Sequence, residues 1–426
     1  MLRVDDREPK TGAARVDLGK RRHAAFIFIF ITVLLDMLAI GIIVPVLPKL
    51  VVDFLGGDTP RAAEILGVFG TVWALMQFVF SPVQGSLSDR FGRRPVILAS
   101  NVGLGLDYLL MALAPTLWWL FVGRVISGIT AASVSTAFAY VADITAPAER
   151  ARQMGMIGVA FGIGFVIGPA LGGLAGAEDP RLPFYIAAVL SLANALYGYF
   201  ILPESLPPER RTPFSWRRAN PIGSLLLVRR SHGLFGLSVT NFLLHLSNCV
   251  LPSVSVLYMT YRYGWDERMI GLTLAVVGVG HMVVQGVLVG FLVSRIGDRW
   301  TVILGILFGA LSFALMGLAP TGALFLAAVP LVALSGMSNG PLQSLMTQRV
   351  GAHEQGQLQG ANMSGMGIAN MIGPLLFAQV FALSIGRFQA WGEPGVTFFV
   401  AAASMAVAII VTWYATRPSP LHHAGG

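Results

Sequence analysis

Twelve stretches of about twenty mostly apolar residues recur along this chain, near 24–49, 64–87, 95–114, 117–141, 154–176, 183–202, 234–258, 270–294, 301–319, 322–347, 358–384 and 395–416. At a rise of about 1.5 Å per residue, each is long enough as a helix to cross roughly 30 Å of bilayer hydrocarbon. A water-soluble fold is ruled out on the same grounds. Of 426 residues 55% are hydrophobic and 12% charged, where soluble domains carry about 25% charge. The 49 glycines would be costly in soluble helices; between membrane helices they allow close backbone approach. The predicted fold class is an all-α integral membrane protein with twelve transmembrane helices, numbered here as spans 1–12.

The net charge of +8 raises nucleic acid as a partner, and its placement removes it. With both termini on one side of the membrane, 22 of the 29 Lys and Arg fall in the tails and in the loops on that side. Only six face the other side, namely Lys49, Arg61, Arg181, Arg262, Arg268 and Arg387, and Arg124 lies inside a span. Basic loops stay cytoplasmic, so both termini are expected in the cytoplasm. The first apolar run is too long for a signal peptide and reads as a retained span. The lone Cys249 excludes an intrachain disulfide.

The widest gap between spans, 203–233, is rich in Pro and Arg, as a linker would be, and has room for a short amphipathic helix at the membrane surface. It splits the chain into a tail 1–23, a six-helix half 24–202, the linker 203–233, a second six-helix half 234–416 and a tail 417–426. The halves are copies. Gly85, Leu87, Arg90, Gly92 and Arg94 recur 205 residues later as Gly290, Leu292, Arg295, Gly297 and Arg299, and Gly168-Pro169 recurs at the same offset as Gly373-Pro374. An even number of spans leaves the two copies parallel, with a cavity between them near the midplane.

In the first copy the loop after span 2, GSLSDRFGRRPVIL, keeps a fixed order of Gly85, Asp89, Arg90, Gly92, Arg93 and Arg94; in the second, Asp89 becomes Ser294 and Arg93 becomes Asp298. Gly92 permits a tight turn. Asp89 is placed to cap a helix or pair with an arginine, latching neighbouring helices; the alternative is a solvated loop that only sets topology. Span 5 carries Gly164, Gly168, Pro169, Gly172 and Gly173 in GFVIGPALGG. These form a hinge, since Pro169 removes a helical hydrogen bond, or a seam for close helix contact.

Ionisable groups within spans are rare and are functional candidates by default. Five occur: Asp36, Asp107, Arg124, His245 and His281. No carboxylate falls inside spans 7–12, so a buried proton-carrying acid has to belong to the first half. An aspartate titrates ordinarily near 3.9, and burial can bring such a group toward neutrality. Asp36 and Asp107 are therefore proton sites, or members of permanent pairs and caps. Arg124 is their counter-ion or a binder of backbone carbonyls. His281 and Gln285, four apart, share one helix face; His281 then faces a cavity or makes an interhelical hydrogen bond, the reading favoured for His245.

These motifs resemble the major facilitator superfamily over nearly the whole chain. GSLSDRFGRRPVIL is similar to its loop 2–3 signature, GFVIGPALGG to its span-5 antiporter motif, LFVGRVISGITAA with Arg124 and Gly128 to its span-4 proton-relay motif, and LLDMLAIGIIVPVLP to the span-1 motif of its twelve-span drug–proton antiporters. Within the family the chain resembles the bacterial tetracycline exporters, in ALMQFVFSPVQGSLSDRFGRRPVILAS, Asp107-Tyr108, AYVADIT, His281 with Gln285, and GQLQG. The resemblance implies proton coupling through Asp36, Asp107, Arg124 and His281, substrate binding at His281, Gln285 and Asp36, and a latch at residues 85–94. One departure stands out: those exporters carry an aspartate in span 9 where this chain has Gly309.

The expected function is export of an amphipathic drug-like compound, tetracycline included, in exchange for protons and by alternating access; the rival is export of another drug or an endogenous metabolite with different proton coupling, and uptake runs against the span-5 motif. No cofactor beyond the proton gradient is expected. The resemblance leaves room for a divalent cation chelated by the substrate. The expected partners are the small-molecule substrate, protons and lipid, with the chain acting as a monomer. An enzyme is not expected, because no zinc-spaced histidine cluster, nucleophile elbow or phosphate-binding glycine loop is present.

Overall fold

The computed structural model describes residues 11–131, 133–145, 149–214, 232–351, 354–387 and 394–417, with side chains from Phe26 onward except at 133–135 and 151. The surface helix expected in the linker falls largely outside the described residues, as do both chain ends. Among the described residues every regular element is helical. Ten segments are long and apolar enough to cross a membrane, and Leu117–Thr130 is a shorter apolar piece.

The helix boundaries follow local chemistry. Span 1 runs Thr11–Ile43, and Leu47–Phe54 resumes it after a turn around Pro45, with Pro48 in its first turn. Asp58 caps span 2, Thr59–Phe91, by accepting from the Arg61 N–H at 3.0 Å. Gly92 ends that helix at φ +106° and span 3, Arg93–Ala112, starts at once. Span 4 has two parts, Leu117–Thr130 and Ser133–Ile144. Just before the break, Ser127 and Thr130 return hydrogen bonds to the Gly123 and Ile126 carbonyls, both at 2.9 Å, a pattern that weakens and bends helices. Spans 5 and 6 are Arg150–Glu178 and Leu182–Ile201. Span 7 joins His232–Asn248 to Val250–Tyr263.

A helical stretch of 52 residues, Glu267–Leu318, holds two of the apolar runs. Gly297 divides it at φ +76°, at the position equivalent to Gly92. Before that break, span 8 (Glu267–Val283) relaxes into a π-helical turn, Val284–Leu288. Span 10 is Gly322–Ser335 continuing as Asn339–Thr347 through a 3₁₀ turn; spans 11 and 12 are Gln355–Ile385 and Val396–Ala415.

The duplication is visible in contacts as well as letters. Arg94 lies 5.8 Å over the Tyr199 ring, and its equivalent Arg299 lies 4.9 Å over Trp413 at the same level of span 12. Arg93 is hydrogen-bonded to Asp143 at 3.1 Å, and 205 residues on, Asp298 accepts from Gln348 at 3.3 Å.

The halves meet along spans 5 and 8 and along spans 2 and 11, through small residues. A Cβ on Gly271 would stand 3.0 Å from the Gly173 Cα, and one on Gly278 2.6 Å from Val166. Across the other seam, Gly67 lies against Ala378 and Gly70 against Pro374, and Thr71 donates to the Met371 carbonyl at 2.8 Å. Lipid tails are as apolar as side chains, so such contacts hold helices together by packing rather than by exclusion of water. Beyond these contacts the same four helices diverge: Gly85, Gly155, Gly158, Gly286, Gly290, Gly356 and Gly365 all face open space. The bundle is thus closed at the end carrying Lys49 and Glu267, whose side chains form an ion pair of 2.8 Å between the halves, and open at the end carrying Asp89–Arg94.

Candidate functional site

Span 1 places Asp36 against span 6. The carboxylate is 4% exposed and accepts from Asn194 Nδ2 at 3.4 Å. Thr32, one turn earlier, fixes that amide by donating to Asn194 Oδ1 at 3.2 Å and accepting from Nδ2 at its carbonyl. Span 3 places Asp107 against span 4, where the absence of a side chain at Gly123 makes room; a Cβ there would lie 3.0 Å from Asp107 Oδ1. Asp107 is 1% exposed, and among the described residues neither of its oxygens has a hydrogen-bond donor within bonding geometry. Ser127 lies beside it but donates to the Gly123 and Arg124 carbonyls.

Arg124 supplies the nearby positive charge without a direct ion pair. Its guanidinium contacts the Met111 sulfur at 3.4 Å and stays within electrostatic reach of Asp107. Tyr108, also buried, feels Asp36, Asp107 and Arg124 together. The first half therefore gathers three of the four proton-coupling candidates around one tyrosine. A buried carboxyl so placed has its charge governed by Arg124, by the neighbouring Ser127, by arriving water or by a proton.

His281 and Gln285 belong to the other half and do share a face, although the π turn begins between them. Both approach Gly336, where a Cβ would meet His281 Cδ2 at 2.8 Å and Gln285 Nε2 at 3.8 Å. Gln285 is exposed and His281 half-buried. His245 is half-buried in span 7 and its ring makes no hydrogen bond among the described residues. Gly309 is enclosed: the Met405 side chain lies over it, and the Ser335 Cβ would be 3.1 Å from an added Cβ.

The ordered loop is a polar cluster inside the first half. Arg93 reaches Asp89 at 2.6 Å, Ser88 Oγ at 2.6 Å and Asp143 at 3.1 Å, and its N–H donates to Glu204 at 2.8 Å. Arg211 stands 4.0 Å from Glu204, and the Thr212 N–H donates to the Asp89 carbonyl at 3.0 Å. The turn between spans 2 and 3 is thereby tied to the end of span 4 and to the linker after span 6. Gly92 is obligatory on two counts, its positive φ and Glu204, which occupies the space of a side chain. Two expected members stand outside the cluster: Gly85 faces open space, and Arg90 lies 5.0 Å over the Phe91 ring.

The span-5 glycines form a two-sided seam within an unbroken helix. Gly164, Gly168 and Gly172, four apart, face span 1, with Gly168 against Gly41; Gly173 and the Pro169 carbonyl face Gly271 of span 8. Sequence reasoning missed Asn194, Asp143, Glu204 and the Lys49–Glu267 pair. Asn194 had a signal, a neutral amide inside an apolar run. The others look like ordinary loop charges until the fold brings them together.

Comparison with known proteins agrees with this architecture. The sequence model described as Major Facilitator Superfamily matches residues 29–248 and again 237–425. The chain is 39% identical to the tetracycline resistance protein, class C, of Escherichia coli over 87% of this chain and 93% of that protein. It is 32% identical to the class H protein of Pasteurella multocida, over 93% and 97%. Among solved structures, the nucleoside transporter NupG superposes with a TM-score of 0.73 at 14% identity, covering 92% of this chain and all of the other; at that identity the likeness concerns the fold alone.

Proposed function

The chain belongs to the major facilitator superfamily of membrane transporters, and from that premise we propose that it is a proton-coupled antiporter expelling an amphipathic drug-like compound, of the tetracycline type named in its relatives. The observation that carries the reading is Asp107, a buried carboxyl without a hydrogen-bond donor among the described residues, one helix from Arg124, in a bundle open at one end.

In this reading the chain crosses the inner membrane twelve times, in halves 24–202 and 234–416 joined by the linker 203–233. The tails and the basic loops face the cytoplasm, so the open end faces inward. The substrate enters from the cytoplasm and meets His281 and Gln285 in the second half. Proton arrival at Asp36 or Asp107 removes a buried negative charge, shifts the hold of Arg124 and Asn194 on spans 1, 3 and 6, and biases the halves toward one of two tilts. The Asp89–Arg93 cluster keeps the first half rigid as it moves, and the glycine seam of span 5 is the surface on which it turns. No resident cofactor takes part; a chelated divalent cation would travel as part of the substrate. One chain suffices.

A second reading keeps the fold and changes cargo and stoichiometry. It is favoured by Gly309, whose surroundings are filled by Met405 at the place where the resemblance to tetracycline exporters implies an acid. Proteoliposomes under an imposed pH gradient separate the outcomes. Gradient-driven counterflow of tetracycline is expected, dropping at least about tenfold in Asp107→Asn, roughly 1.4 kcal/mol or more of lost coupling, while binding persists. Flux that ignores the gradient and survives both Asp36→Asn and Asp107→Asn overturns proton antiport. Coupled flux of another compound, without tetracycline, selects the second reading.

A further inference from the structure

The loops after spans 2 and 8 are copies whose charges have diverged. In the first, arginines are answered by acids, Arg93 by Asp89 and Asp143, Arg211 by Glu204. In the second, Asp298 is engaged by Ser344 at 2.7 Å and Gln348 at 3.3 Å, and Glu354 accepts from the Gly351 N–H at 3.3 Å. The arginines there pair with no carboxylate among the described residues. Arg299 is stacked over Trp300 and Trp413, at 5.7 and 4.9 Å. Arg417 lies 4.5 Å over Tyr414, and Arg349 donates to the Ala415 carbonyl at 2.8 Å. Two guanidinium groups, of Arg299 and Arg417, thus stand at the last turn of span 12 with no carboxylate against them among the described residues, while Arg349 lies against Gly233 of span 7. The indoles of Trp300 and Trp413 meet edge to face at 5.7 Å and are exposed outward. From them the exposed faces of spans 9 and 12 continue in Leu307 and Ile410.

We propose that this corner seats the phosphate of an anionic phospholipid of the phosphatidylglycerol class, its acyl chains lying along Leu307 and Ile410. Indole rings settle at the membrane–water interface. Guanidinium forks match phosphate oxygens, and stacking on a ring fixes a fork in advance. Basic pockets between helices on the cytoplasmic side attract anionic headgroups. The equivalent corner of the first half does not offer the same seat, because Arg94 donates to the Tyr199 carbonyl at 2.5 Å on the flank of a cluster holding Asp89, Asp143 and Glu204.

The test places the purified full chain in phosphatidylcholine vesicles doped with bromine-labelled phosphatidylglycerol or, at equal fraction, bromine-labelled phosphatidylcholine. Tryptophan quenching reads contact. The anionic lipid is expected to quench more strongly, the excess carried by Trp300 and Trp413, reduced in Trp413→Phe and lost when Trp300→Phe is added. Its preference falls roughly fivefold per arginine removed in Arg299→Gln and Arg417→Gln, and persists in Arg94→Gln. Arg417→Gln, at an exposed residue, keeps the test decisive if Arg299→Gln does not fold. Equal quenching by the two lipids overturns the proposal, as does a preference that survives both substitutions or falls equally in Arg94→Gln. Relief by excess inorganic phosphate overturns it too, by showing a seat for phosphate rather than for lipid.

Discussion

Gly309 shows how much one side chain decides. Met405 and Ser335 occupy the place an added side chain would need, so a larger residue cannot enter there without displacing them. Gly309→Asp is expected to destabilise the protein by about 1–3 kcal/mol from overpacking, with a further cost for a charge set among apolar groups. Thermal unfolding in detergent checks this, and Gly309→Asp with Met405→Ala should recover part of the loss. An unchanged midpoint for the single variant would mean that Met405 yields freely. The glycine itself was legible in the sequence, whereas the expectation of an acid in its place came from the resemblance alone. The glycine's neighbour was not legible, because Met405 lies three spans away and nothing in its own surroundings announces the contact. Asp36 was equally plain as an unusual residue, and equally silent about Asn194, 158 positions later.

Helices and turns carry the next level. The loop after span 2 was recognisable from its fixed order of charges and from Gly92, whose positive φ the structure bears out. What the sequence left open was which arginine matters. Arg93 gathers Asp89, Ser88, Asp143 and Glu204, while Arg90 rests on a phenylalanine ring. Arg93→Ala should therefore lower the thermal midpoint in detergent and loosen the start of span 3, whereas Arg90→Ala should change little. Equal effects of the two substitutions would argue that the loop works only through its net charge. Span 5 teaches a similar lesson. Its glycines and Pro169 were compatible with a bend or a seam, and spacing could not choose between them, because the choice depends on what stands opposite. Gly41 and Gly271 stand opposite, and the helix passes Pro169 unbroken. The π turn at Val284–Leu288 had no signal, since it depends on how span 8 adjusts to its neighbours.

For the whole molecule, hydropathy and the 205-residue echo led to the expectation of two parallel six-helix units, because bilayer thickness fixes helix length and duplication fixes symmetry. The tilt of the units was not written there. It follows from contacts between halves, among them Lys49 to Glu267, where Glu267 is almost entirely buried. Removing one partner of such a pair leaves the other charge uncompensated. Glu267→Gln should therefore weaken the closed end and raise the population of chains open there. Spin labels placed across that end in a Cys249→Ser background would show a longer-distance component, and Lys49→Gln should match it. A distance distribution identical to that of the parent would mean that the pair decorates a closure held by the glycine seams alone. Those seams have a mechanical consequence. Where two helices touch through bare backbone, no rotamers interlock and none has to unlock, so the surfaces can roll over one another like smooth cylinders. The work of parting them then depends on area lost rather than on teeth disengaged, and a small free-energy input suffices to swing the halves.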